Sequence, residues 1–80
     1  MIAMTTTKRF RNKYTIQVRQ RDHNPPHVHF FGGGYDVIIY LETLEFTGNF
    51  PSNAIENEVM AWVAENKTEL FTEWYVWHKK

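Results

Sequence analysis

The chain has no cysteine, only four glycines and three prolines in 80 residues, and no net charge. The missing cysteine excludes a disulfide framework and a thiolate metal site, leaving histidine and carboxylate as candidate ligands. Long apolar runs are missing too. No stretch approaches the ~20 apolar residues of a membrane span, and Met1 to Phe10 holds no apolar segment of signal-peptide length, so a cytoplasmic protein without membrane attachment is expected. A chain this short has room for one core, and residues 1–80 read as a single domain.

What is present argues for folding. Hydrophobic residues make up 42 % and aromatics 16 %, more apolar surface than disordered segments carry. The neutral charge hides a split. Up to Tyr40 there are six Lys/Arg against two Asp, and beyond it seven Glu against three Lys. Opposite halves fit a basic surface facing a nucleic acid, or two parts that attract each other on folding.

The pattern predicts an α+β fold: a three- to four-stranded antiparallel sheet over residues 14–50, packed on one face by a long C-terminal helix over 53–77. Tyr14, Ile16 and Val18 alternate with Thr15, Gln17 and Arg19, the period of a half-buried strand. Pro25-Pro26 makes a rigid connection. His27 to Phe31, Gly32-Gly33-Gly34 and Tyr35 to Leu41 read as a hairpin, and Glu45 to Asn49 as a short further strand weakened by Gly48. Ser52 or Asn53 caps the helix, with Glu56 completing a capping box if Asn53 is the cap. Ile55, Val59, Trp62, Leu70, Trp74 and Trp77 form its apolar stripe. Only Asn66 interrupts that stripe, so one continuous or slightly kinked helix is expected, with two helices broken near Asn66 as the alternative.

Parity assigns the faces. If Tyr14, Ile16, Val18, Val28, Phe30, Val37, Ile39 and Leu41 look toward the helix, then Thr15, Gln17, Arg19, His27, His29, Asp36, Ile38 and Tyr40 look away. The run Asp22-His23-Asn24-Pro25-Pro26-His27-Val28-His29 packs three histidines and an aspartate into eight residues, with the prolines holding their spacing. One reading is a divalent metal, with His27 and His29 projecting together and His23 or Asp22 as third ligand. Another is acid-base cleavage of RNA, with one histidine taking the 2′-hydroxyl proton, another protonating the leaving oxygen, and Arg19 steadying the phosphate. The plain alternative is that the histidines are hydrogen-bonding anchors of the loop.

Residues 1–13 read as a basic arm. Lys8, Arg9, Arg11 and Lys13, together with Arg19 and Arg21, can track phosphates, while the interleaved Phe10 and Tyr14, and Tyr40 on the histidine face, offer rings to stack on bases. The arm can equally dock on the acidic ridge Glu65, Glu69 and Glu73. Phe71, Trp74, Tyr75 and Trp77 cover more of the helix end than one buried stripe holds, which suggests an interface with a partner or a second copy. The sheet face is the other candidate surface for a homodimer.

The run Arg21-Asp22-His23-Asn24-Pro25-Pro26-His27-Val28-His29-Phe30, the glycine turn after it, Gly48 with Pro51, and the helix with Trp62, Leu70 and Trp74 resemble domain-of-unknown-function family 4160. The resemblance spans roughly Tyr14 to Trp74. It implies a small bacterial or phage-borne protein of no established activity, often encoded beside another small domain in the manner of a toxin-antitoxin pair. It also singles out Asp22, His23, His27 and His29. Two features depart from the family: the extra aromatics of residues 75–77 and the missing glycine in Glu42-Thr43-Leu44-Glu45. The expectation is an accessory protein that binds RNA or a protein partner, with a histidine-dependent ribonuclease, a non-catalytic interaction or inhibitor module, and a divalent-metal domain as its rivals.

Overall fold

The computed structural model describes residues 7–18 and 25–78, with Thr7, Trp77 and His78 described by backbone alone. Among the described residues, five antiparallel strands form one sheet in chain order: β1 (Thr7–Phe10), β2 (Tyr14–Gln17), β3 (His27–Gly32), β4 (Tyr35–Tyr40) and β5 (Phe46–Thr47). Two helices follow, α1 (Asn53–Glu65) and α2 (Lys67–His78). Among the described residues, no helix is long and apolar enough to cross a membrane.

The α+β architecture agrees with the sequence pattern, and two of its details differ. The segment read as a basic arm holds a fifth strand, β1, which pairs with β2 from Thr7↔Gln17 to Phe10↔Tyr14. The expected single helix is two, broken at Asn66. There the side-chain Nδ2 donates to the Trp62 carbonyl at 2.9 Å while the backbone N–H donates to the same oxygen at 3.0 Å. An asparagine able to bond nearby backbone is suited to end a helical run. Ser52 is the cap: its Oγ accepts from the Ile55 N–H at 3.2 Å, so Ile55, not Glu56, occupies the third helical position.

Face assignment by parity holds for the core. All eight residues expected to face the helix are buried. They meet Ile55, Val59 and Val63 of α1 and Leu70 and Trp74 of α2, a stripe whose step of four is stretched only across Asn66. Aromatic contacts tie this layer together. Phe10 meets Trp62 edge-on at 6.1 Å, Tyr14 stacks on Phe30 at 5.3 Å, and Phe50 bridges Phe30 and Phe46.

The turns set the registers. Arg11 and Asn12 both adopt positive φ, 55° and 54°, and the Lys13 N–H donates to the Phe10 carbonyl at 3.0 Å. This is the left-handed pair that a tight hairpin demands, made here without glycine. Gly32, at φ 137°, lies directly against that turn, where a β-carbon would run into the Lys13 carbonyl oxygen and come within 3.0 Å of Tyr14 Cα. Gly48, at φ 107°, abuts β4 in the same way, 2.6 Å from the Asp36 carbonyl oxygen to any added β-carbon.

Candidate functional site

Strand β3 carries the part of the histidine motif that the structure describes. Its register places His27 opposite Tyr40 and His29 between Ile38 and Gln17. The two imidazoles project from the same side, as the spacing predicts, with ring centroids 5.1 Å apart and planes at 65°. Each residue is only 9 % exposed. For His27 the expectation that the ring looks away from the C-terminal helix is corrected. The Trp74 ring of α2 packs against His27 at 5.1 Å, and Tyr40 flanks it at 5.9 Å.

His27 also anchors the prolines before it. Its Nδ1 lies 2.7 Å from the Pro25 carbonyl oxygen. A carbonyl can only accept, so Nδ1 carries the hydrogen and Nε2 the lone pair in the neutral ring. The next carbonyl, of buried Pro26, accepts from the Leu41 N–H at 3.0 Å. The two acceptors of the proline pair are thus held by a side chain and a neighbouring strand end, which fixes where β3 begins.

Beside His27 an open hollow of about 270 Å³ is lined by Pro25, Tyr40, Glu42, Thr43 and Glu45. The loop that forms it is tight: the Leu44 N–H donates to the Tyr40 carbonyl, the Tyr40 N–H to the Glu45 carbonyl, and Thr43 Oγ1 accepts from the Glu45 N–H. Leu44 takes φ 62°, the left-handed conformation for which glycine is the usual choice. The absent glycine noted in the sequence is the one signal that pointed to this loop; the carboxylates of Glu42 and Glu45 beside the histidine strand were not foreseen.

Among the described residues, no three His, Asp or Glu side chains converge to hold a metal ion. Asp22 and His23, the proposed further ligands or catalysts, lie outside the described residues, as do Arg19 and Arg21 of the expected basic surface.

The cations of β1 and its turn are exposed, but the aromatics between them are not. Phe10 is 4 % and Tyr14 7 % exposed, both built into the core. The expectation that they stack on bases is corrected. Lys8 Nζ lies 5.6 Å from the Phe10 ring centroid and Lys13 Nζ 5.8 Å from that of Tyr14, so the lysines lie along apolar surface and present their heads to water. Arg9 reaches the Asn12 carbonyl at 3.2 Å. Arg11 alone among these four pairs with a carboxylate of the described residues, Glu58 of α1 at 3.1 Å. Among the described residues, the basic segment thus reaches the helix through the ion pair at Glu58.

At the far end, Trp74 is fully buried and so belongs to the core and not to an interface. Tyr75 and Val76 are more than half exposed, and Phe71, partly buried, stacks on Tyr75 at 6.1 Å. The Trp77 side chain is outside the described set.

A family model for a domain of unknown function, DUF4160, matches residues 14–75. The chain belongs to this family. The DUF4160 segment takes in the sheet from β2 onward, the histidines, the hollow and most of α2, whereas β1 and the cations Lys8, Arg9, Arg11 and Lys13 precede it. No curated protein and no solved structure matches the chain.

Proposed function

We propose that this protein is an accessory binding module, one member of a two-protein pair, that captures an acidic partner protein through the basic edge formed by β1 and its turn. The observation that carries this reading is a set of exposed cations, Lys8, Arg9 and Lys13, paired with no carboxylate of the described residues. Exposed like charges at one edge repel each other mildly, and an anionic surface relieves that repulsion and speeds encounter.

Between the two anionic classes, protein is favoured over RNA. Single-stranded nucleic acid is held largely by bases stacking on aromatic rings, and the rings among these cations are in the core. A histidine-dependent ribonuclease is disfavoured for a related reason: both described imidazoles are nine-tenths buried, and one is committed to a proline carbonyl.

Fluorescence anisotropy with an acidic peptide and a single-stranded RNA of equal charge, over a range of salt concentrations, tests the reading. The peptide is expected to bind more tightly than the RNA, with affinity falling as salt rises, and the triple variant Lys8→Glu, Arg9→Glu, Lys13→Glu is expected to lose both ligands while remaining folded by circular dichroism. Tighter binding of the RNA would assign the edge to nucleic acid, and unchanged peptide binding by the folded triple variant would refute the proposal.

A further inference from the structure

The β1 edge differs from the other edge of the sheet in a way that specifies how a partner is held. Strand β5 has two residues, Phe46–Thr47, too few to template another strand. Strand β1 has four, and among the described residues no strand pairs with its outer side. Its hydrogen-bonding direction can be read from the turn. The Phe10 carbonyl accepts from Lys13 on the β2 side, so Phe10 points its backbone groups inward. In an antiparallel ladder the direction alternates from residue to residue. Lys8 therefore bonds inward with Phe10, and the N–H and C=O of Arg9, like those of Thr7, point to the open edge.

The side chains on the edge alternate as well. Lys8 is registered with core-facing Ile16, and Arg9 with Thr15 on the opposite face. An added strand thus meets one cation above the sheet and one below it. Two copies of β1 placed edge to edge would set Lys8 and Arg9 against their own equivalents, an arrangement by which sheets prevent self-association. The edge is closed to itself and open to a strand of opposite charge.

We infer that β1 takes up an extended strand of the partner protein by strand addition, with Arg9 supplying the backbone bonds and two adjacent acidic residues of that strand lying beside Lys8 and Arg9 on the two faces. The inference rests on the acidic-partner reading above and adds the geometry of capture. Main-chain bonds give a strand addition its affinity, and alternate side chains give its selectivity.

Isotope-labelled full-length protein titrated with the peptide Thr-Val-Glu-Glu-Val-Thr tests it by amide hydrogen exchange. The Arg9 amide, pointing outward, is expected to exchange at least about tenfold more slowly when the peptide is bound, the protection that one new backbone hydrogen bond of ordinary strength confers. Arg9→Pro removes the outward donor and leaves the bonds to β2 in place, as proline is tolerated on a solvent-facing strand edge. It should weaken binding about tenfold more than Arg9→Ala, which removes the charge alone. Peptide binding with no protection at Arg9, or equal binding by Arg9→Pro and Arg9→Ala, overturns strand addition and leaves the acidic-partner reading standing. No binding of the peptide by the unaltered protein overturns both. If Arg9→Pro fails to fold, exchange on the unaltered protein decides.

Discussion

Replacing His27 by alanine is a test of the fold before it is a test of any chemistry. The ring is 9 % exposed, lies between Tyr40, His29 and Trp74, and holds the Pro25 carbonyl at 2.7 Å. Losing that hydrogen bond costs about 1 kcal/mol. Removing a ring packed against aromatic neighbours costs about 2 kcal/mol more, near the low end for truncation of large buried side chains because imidazole is small and part of the site touches water. The sum, about 3 kcal/mol, is a large share of the roughly 4 to 12 kcal/mol that a domain of this length has in total. At about 4 to 8 °C per kcal/mol, the melting temperature should fall by some 12 to 24 °C. Thermal denaturation followed by circular dichroism measures it. His27→Asn, whose side-chain amide can still donate to the Pro25 carbonyl, should recover part of the loss. A His27→Ala protein melting within about 2 °C of the parent would refute the anchoring role, since losses on the scale expected here correspond to several times that shift. Such a result would return the imidazole to the list of groups available for chemistry. Loss of partner binding in His27→Ala is therefore informative only at a temperature where the variant is shown to be folded.

Two further substitutions check the local physics. Gly32→Ala should cost about 2 to 4 kcal/mol in urea unfolding, combining the strain of positive φ with displacement of the β1–β2 turn. Gly34→Ala, at φ 87° with open space around it, should cost only about 1 kcal/mol, and equal costs would show that the backbone contact at Gly32 is immaterial. Ser52→Ala should lose about 1 kcal/mol through the uncapped Ile55 N–H, with Ser52→Asp restoring it. An unchanged unfolding midpoint in Ser52→Ala would mean that the cap is not holding the start of α1.

The core was legible because alternation and helical spacing are both consequences of burying one face. Once Ile16 and Val28 were placed inward, the pleat left no choice for Phe30, Val37 or Ile39. β1 was not legible because its four residues include adjacent cations, and an edge strand needs few buried side chains to form. Only Phe10 was a sign, and it read equally well as an aromatic in a basic arm. Its turn was hidden as well, since Arg11 and Asn12 take left-handed conformations without the glycine that announces them. The burial of His27 and His29 escaped for a different reason. Parity says which way a side chain points and is silent about what lies over it. Trp74 was rightly placed in the apolar stripe, but that this stripe ends on His27 depends on the path of α2 after Asn66. The same limit explains why Trp74 also looked like an interface residue: counting aromatics around a helix does not reveal how much surface the sheet can cover.

The order of the strands also bears on how the molecule reaches its native state. Every rung of the sheet joins neighbours in the chain, so the pairing can proceed hairpin by hairpin, each step closing a modest loop and losing little chain entropy. Low mean separation between contacting residues goes with rapid folding. The distant closures, such as Arg11 to Glu58 across 47 positions, join the helices to the sheet and not strand to strand. The meander's own pairing thus calls on no residue of the C-terminal third, which contributes the cover instead, Trp74 lying against His27 where β3 begins.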